Sequence, residues 1–577
     1  MKRASVRTLL FPVLMLALGL FGSSALRAED VPQPVDLGSK DVSVYLAVPN
    51  LNTLLDNVDA VAKQFNPQQP PGAIKMQLGF VLGDPALANL DTTKPIVAMI
   101  FKIPATDTPS GPPPFAIFVP AKAAAPFDAA FTRMNLVSSF ANGVLVVAQN
   151  ADTLSMGQAQ LAAYQKIADA KIKGDVRIYL GAANLMESYG PLIQKGMDMA
   201  TQQLAMMSAT APATPGMDPK SLVKILGIEM KVLAEILNEL DSMQYDVTLK
   251  ADVITIEHLI SAKKESPLAS VFSTPPPGIN KMLMLLTKSG SMTGAGRINP
   301  AGYKTFMSKM VSVVAKDPEY ADAASKDVQD MLTGIAESIG GDVAFSVDLQ
   351  PTGGMAMETA MSITDEKKYL GYMDSMAKLM GPEGALGKFY ADMGMKMTVS
   401  LQKAVRQHAG VDVHRMKIDI DTSKLPPAQA AQMKNMPKEA DLAVAKGVYL
   451  ASYDPADLDK LIDKATAAGG AKPDVSLESI TAFGDGKQMY LDFDAIGFVQ
   501  HSLASMPANP ATAMLTQLKS KAPMLMAGSY SGGRFFSQVR IPLAPFIEMS
   551  TLAKKGGGMT PPPATGGADE PKPNEKF

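Results

Sequence analysis

Asp41-Val-Ser-Val-Tyr-Leu-Ala-Val-Pro-Asn50-Leu51 returns as Asp175-Val-Arg-Ile-Tyr-Leu-Gly-Ala-Ala-Asn184-Leu185, with Asp, Val, Tyr, Leu, Asn and Leu in register. Alternation of Val42, Val44 and Leu46 suits a half-buried strand, and Asn50 or Asn184 can accept from the free N–H groups at the start of a helix. The same strand-into-helix pattern recurs more loosely at Met489-Tyr490-Leu491 before Ile496 and Phe498. It recurs again at Gly296-Arg297-Ile298-Asn299-Pro300, where Asn299 is the expected cap and Pro300 the first helical residue.

The features between these points also repeat in order, which turns a local likeness into an expected internal duplication. Apolar strands at 96–103 and 115–119, with a helix carrying Phe127, Phe131 and Met134, match strands at 343–349 and 357–363, with a helix carrying Tyr369, Tyr372, Met373 and Met376. Asn142-Gly143 and Lys446-Gly447 each open a turn, a strand and a capping Asn150 or Asp454. Closing hairpins follow, turning at Lys250-Ala251-Asp252 and at Ser531-Gly532-Gly533. The chain therefore reads as α+β, two tandem copies of a mixed or antiparallel sheet covered by helices. Unit one spans 36–272 and unit two 281–553, joined at Ser273-Thr-Pro-Pro-Pro-Gly278. Unit one carries a long helical hairpin, 185–207 and 219–243. Unit two instead carries an insertion near 381–440 with a strand pair at 395–407 and 411–420.

This pattern resembles the broad group of uncharacterised exported bacterial proteins built from duplicated strand-helix-hairpin units. The resemblance implies export and a duplicated α/β core, and it implies no activity.

Residues 1–28 read as a secretory signal, with basic Lys2, Arg3 and Arg7 before an apolar run from Leu9 to Phe21 that is too short to span a bilayer. Cleavage could follow Ala25, with small Ser23 two residues before it, or Ala28, where Leu26 fits the small-residue preference less well, and a periplasmic or secreted product follows. The sequence contains no cysteine, which excludes disulfides, thiol chemistry and a lipidated cysteine. Without residues 1–28 the chain keeps 50 basic against 56 acidic residues, interspersed in sign, which argues against nucleic acid as a partner. No second apolar stretch is long enough for a membrane span. Residues 556–577 are Gly, Pro and charge, and are expected to be disordered.

Catalytic motifs fail on inspection, so no catalytic residue and no cofactor is assigned. Gly528-Ser529-Tyr530-Ser531-Gly532 puts Tyr where a nucleophile elbow needs Ser. Gly294-Ala-Gly296-Arg-Ile-Asn299 lacks the third glycine of a dinucleotide loop, and a helix cap explains it better. Among four histidines, His408 and His414 with Asp412 form one loose cluster that could hold zinc or copper, although a solvated hairpin accounts for it as well. Methionine numbers 39 with no tryptophan, which suits a cuprous site, adaptable core filling, or a pliable binding surface.

The helix expected at 219–243 supports the last of these. Leu226, Met230, Leu233, Leu237 and Leu240 form a seam, and Ile225, Ile228, Val232 and Ile236 widen the apolar face beyond one neighbouring helix. The sequence thus points to an exported, non-enzymatic binding or scaffold protein whose apolar helical or inter-unit surfaces meet a lipidic ligand or a protein partner. The competing readings are a hydrolytic enzyme with a site between the units and a methionine-based copper handler. N-terminal sequencing of the exported protein is expected to begin at Leu26 or Glu29; an intact Met1 in the exported fraction refutes the signal assignment.

Overall fold

Strands of the first half are β1 (Val42–Val48), β2 (Ile96–Phe101), β3 (Phe115–Pro120), β4 (Val137–Ala141), β5 (Val144–Ala148), β6 (Val176–Leu180), β7 (Leu240–Leu249) and β8 (Val253–Ala262). The second half supplies β9 (Met292–Arg297), β10 (Ile339–Leu349), β11 (Met355–Ile363), β12 (Met397–His408), β13 (Val411–Ile420), β14 (Glu439–Ala445), β15 (Val448–Ser452), β16 (Met489–Phe493), β17 (Met524–Ser531) and β18 (Arg534–Pro542). All eighteen belong to one sheet of a mixed α/β protein that also contains 16 α-helices among the described residues. The computed structural model describes residues 31–102, 113–210, 219–275, 280–316, 325–349, 354–392, 397–421, 437–467, 474–504 and 515–555. The expected signal at 1–28 and tail at 556–577 lie outside these residues.

Every pairing is antiparallel, so the "mixed" alternative gives way to a wholly antiparallel sheet. Antiparallel neighbours follow because β2–β3, β7–β8, β10–β11 and β17–β18 are joined directly, while β1–β2, β6–β7 and β9–β10 are joined through two helices, which return the chain to the end it left. The spatial order is β4-β5-β3-β2-β1-β6-β7-β8-β18-β17-β16-β9-β10-β11-β15-β14-β13-β12. Read inward from either outer edge, and setting β12 and β13 aside, both halves follow the same order: fourth, fifth, third, second, first, sixth, seventh, eighth strand. The two eighth strands, β8 and β18, pair from Ser261–Arg534 to Val253–Pro542.

One cross-sheet row shows where the core sits. Val146, Phe118, Val97 and Ala47 of the first half, and Ala527, Tyr490, Ala295, Ala344, Ala360, Leu450, Ala443 and Val413 of the second, share one face in consecutive registers. All are buried. Between the two apolar stretches the same row reads Arg177, Asp246, Glu257 and Gln538, so the face turns polar where the halves meet.

Helices Ala151–Ala159 and Leu161–Asp169 cover the first apolar stretch, with Ala163, Tyr164 and Ile167 buried against it. A Cβ on Gly157 would stand 2.8 Å from the Ala116 Cβ, so glycine is what lets that helix lie on the strands. Helix Pro455–Thr466 covers the second stretch through Leu458, Leu461 and Ile462. On the opposite face lie Leu51–Phe65 and Ala125–Arg133 near one end, Pro219–Glu239 and Pro300–Ala315 over the middle, and Glu366–Leu379 near the other end.

The expected caps form at Asn50, Asn150, Asn299 and Asp454, whose side-chain oxygens accept from Thr53, Thr153, Ala301 and Ala456 N–H groups at 2.9–3.1 Å. Asn184 does not cap. Its helix starts earlier, at Ala182, and its Nδ2 donates to the Val42 carbonyl at 3.1 Å, tying the helix to β1. The helix expected to run to Met243 ends at Glu239, because 240–249 alternate and are taken into the ladder with β6 and β8.

Leu450 has no exposed surface and sits beneath Pro455–Thr466. Leu450→Ala is expected to cost about 2–5 kcal/mol in urea denaturation, because the cavity it leaves cannot collapse under a docked helix. A cost below about 1 kcal/mol would mean that this helix does not seal the face.

Candidate functional site

The helical hairpin comprises Ala182–Thr210 and Pro219–Glu239. Its base is anchored: Val232, Ile236 and Leu237 pack on the central core with Phe306 and Met310 of Pro300–Ala315. Lys309 of that helix bridges Glu235 and Glu239 at 2.5 and 2.8 Å, and these partners hold its ammonium above the ordinary lysine range. The outer side is a different surface. Leu192, Met199 and Met206, seven residues apart and hence one above another, are 38, 50 and 62 % exposed, and Leu233 on the second helix is 49 % exposed.

Of the seam read from the sequence, Leu233 is thus exposed, while Met230 and Leu237 are half-buried. Leu240 is instead the first residue of β7, 4 % exposed and part of the core. The side chain of Leu226 lies outside the described residues, as do those of Met197 and Met207.

The insertion of the second half adds β12 and β13 to one outer edge of the sheet. His408, Asp412 and His414 do not converge there. His408 turns to helix Pro455–Thr466, its Nε2 lying 2.7 Å from Asp463 Oδ1. Asp412 accepts from Gln407 at 2.7 Å on the strand face opposite to His408. His414 is buried; its Nδ1 accepts from the Ala404 N–H at 3.3 Å, and burial holds its pKa down. Among the described residues no group of three His, Asp or Glu side chains is placed to hold a metal ion. What the edge carries is a charge lattice. Asp441, 2 % exposed, accepts from Arg415 at 2.7 Å and from Arg406 at 3.4 Å, and Arg406 also reaches Asp459 at 2.5 Å. At Ala404 the strand bulges through a left-handed residue, φ 49°.

Sequence reading missed the polar middle of the sheet. Arg177 grips Asp246 through two bonds of 2.5 Å, and both side chains are less than a tenth exposed. Tyr45 stacks on Tyr179 at 5.0 Å, and burial pushes the Tyr45 phenol up to about 12 although Arg177 beside it pulls the other way. Arg297 grips Asp342 in the same bidentate manner on the far side of the joint. The signal available was a charged residue at the inward position of an apolar strand, Arg177 in Val-Arg-Ile-Tyr-Leu, which on its own reads as solvent-facing. On the opposite face His258 of β8 stands across from Ser537 of β18 and stacks on Tyr245 at 4.3 Å. His258 Nε2, Ser537 Oγ and the Tyr530 hydroxyl are buried there without hydrogen-bond partners among the described residues.

The motifs rejected from sequence sit in the fold as packing. Gly294 lies against the Phe345 ring, which a Cβ would approach to 2.8 Å, so its glycine serves the sheet and not a phosphate. Gly528 to Gly532 runs out of β17 into the hairpin turn, where Gly532 and Gly533 have positive φ. Met99, Met282, Met310, Met331, Met373, Met380 and Met489 fill cores, Met355 and Met357 are half-buried on β11, and Met393 and Met395 lie outside the described residues. Among the described residues no helix is long and apolar enough to cross a membrane.

No protein-family model matches the sequence, and no curated protein matches it. Two solved structures of TP0453, crystal forms IV and I, are similar at 11 % identity with TM-scores of 0.19 and 0.18. The likeness covers 40 and 41 % of this chain and 80 and 82 % of those chains, and at that level it carries no argument.

Burial pushes His258 down to about 4, so the folded protein keeps this ring neutral while the unfolded chain protonates near 6.5. The unfolded state therefore binds more protons between these values, and stability present above pH 6.5 is lost as pH falls toward 4. His258→Phe is expected to flatten that part of the stability profile in urea titrations at successive pH values; an unchanged slope would show the ring to be solvated.

Proposed function

We propose that this is an exported, non-enzymatic binding or scaffold protein, made of two tandem copies of one α+β unit, that holds a lipidic ligand on the outer side of its helical hairpin. The observation that carries the reading is the exposure of Leu192, Met199 and Met206 at seven-residue spacing on the first hairpin helix, and of Leu233 on the second. A solvent-facing helix side is ordinarily polar, and here large apolar residues recur every two turns on one side, with Lys195, Gln202 and Gln203 exposed between them. Methionine adds pliability, since its unbranched thioether adapts to a ligand of irregular shape.

Duplication is supported by the identical strand order of the two halves and by the four caps at matching strand-to-helix passages. Export to the periplasm or medium is supported by the basic start and apolar run of residues 1–28. This reading puts the chain among exported bacterial proteins built from duplicated strand-helix-hairpin units.

Native mass spectrometry of the mature protein, purified gently from the exported fraction, with lipid extraction of the same sample, tests the function. The wild-type protein is expected to carry lipid. The combined variant Leu192→Ser, Met199→Ser, Leu233→Ser is expected to lose it with little change in melting temperature, because exposed substitutions cost about 0.5 kcal/mol or less each. A bare wild-type mass overturns the lipid reading, and a stoichiometric protein in its place replaces lipid with a protein partner.

A further inference from the structure

Residues 31–40 form no strand, yet they cross the joint between the two halves. Leaving β1, the segment buries Leu37 and packs Val35 into the first-half core that also holds Tyr45 and Tyr179. At its other end Val31 is 5 % exposed, and the carbonyls of Val31 and Pro32 accept from Arg534 Nη1 at 3.4 and 3.0 Å. Arg534 stands on β18 opposite Ser261 of β8. Between Asp41 and Val31 the chain therefore passes over β6, β7 and β8. Four strand steps are about 19 Å at roughly 4.8 Å each, and ten extended residues reach about 33 Å, so the crossing is made without strain.

The surface beneath the crossing is poorly matched to its cover. Gln244 and Ser261 are 7 and 6 % exposed, and Gln244 Oε1 and Ser261 Oγ are buried without hydrogen-bond partners among the described residues. Each such group weakens the covered state until something supplies the missing bond. The strap itself joins no ladder and is fastened by Val31, Val35, Leu37 and one arginine, the kind of attachment that opens locally while the rest of a fold stays intact.

We propose that the joint is a groove for an extended peptide, occupied in cis by residues 31–40, and that this strap exchanges with a peptide supplied in trans. The arriving chain offers two successive carbonyls to Arg534, apolar side chains where Val35 and Leu37 now lie, and donors to Gln244 and Ser261 that the resident strap does not provide. This role is separate from the hairpin surface, which lies on the opposite face of the sheet.

The test uses the mature chain with a specific protease site inserted between Gly38 and Lys40, so that the protein folds intact before the strap is cut. The probe is a fluorescent synthetic peptide of residues 31–40, read by anisotropy. After cutting and dilution the strap is expected to leave and the probe to bind saturably, at least tenfold more tightly than to uncut protein. Arg534→Gln in the cut protein is expected to weaken the probe at least tenfold. Equal binding to cut and uncut protein, no binding after the strap has left, a strap that never leaves, or indifference to Arg534→Gln would each overturn the proposal. Hydrogen exchange on the uncut chain is an independent measure: Arg534→Gln is expected to raise exchange at least tenfold in 31–40 and not in Pro455–Thr466, and unchanged protection of 31–40 counts against it.

Discussion

The ladder between β8 and β18 is the contact on which the rest of the architecture depends. It runs from Ser261–Arg534 to Val253–Pro542 and joins what would otherwise be two separate sheets. Each half has helices on both faces and an apolar stretch of its own, but neither β8 nor β18 would have a second neighbour without the other. A strand left with an open edge invites pairing with any passing chain. The ladder removes both inner edges at once, and Gln538 reinforces it by donating to Glu257 across the joint at 2.9 Å.

The polar character of the middle follows from this arrangement. Helices seal the outer thirds of the sheet, where rows of Ala, Val, Leu and Phe can be packed dry. Near the joint, among the described residues, the same face is crossed by the strap and approached by Phe483, over which Arg540 stands at 4.9 Å. Charged residues placed there must find partners, and Arg177–Asp246 and Arg297–Asp342 do so in bidentate pairs. Such pairs add little net stability once desolvation is counted. What they add is register: a one-residue slip between β6 and β7 would turn Asp246 to the other face and strand Arg177 without its partner.

Much of this fold was legible because local chemistry decided it. Asn50, Asn150, Asn299 and Asp454 could be read as caps because a short side chain before a helix has one dominant use. The strand pair at 411–420 and its neighbour were visible as alternation. Asn184 misled because the residue type that caps a helix can equally donate to a nearby carbonyl, and only the closeness of β1 decides between them. Leu240 misled because its spacing from Leu226 and Leu233 is helical, while the strand pairing that captures it is made with Ala262 on the next strand. Strand order and the Arg177–Asp246 pair were beyond reach for the same reason: both rest on contacts between distant segments that leave no local pattern. Of the candidate surface, the sequence indicated the second hairpin helix, while the exposed line on the first lay hidden among residues that looked like ordinary core.

The way the halves meet also limits how large such a sheet can grow. The joint pairs the last strand of one half with the last strand of the other, so it uses up the only edge of that kind that each half possesses. Contacts of like with like close on themselves, whereas head-to-tail contacts can continue indefinitely. A third half would have to attach at the outer edges, and these are unsuited to it: β4 is five residues long, and β12 bulges at Ala404 with Lys403 and Arg406 beside the bulge. The eighteen-stranded open sheet is thereby limited at both outer edges, whatever the stability that a further strand would bring.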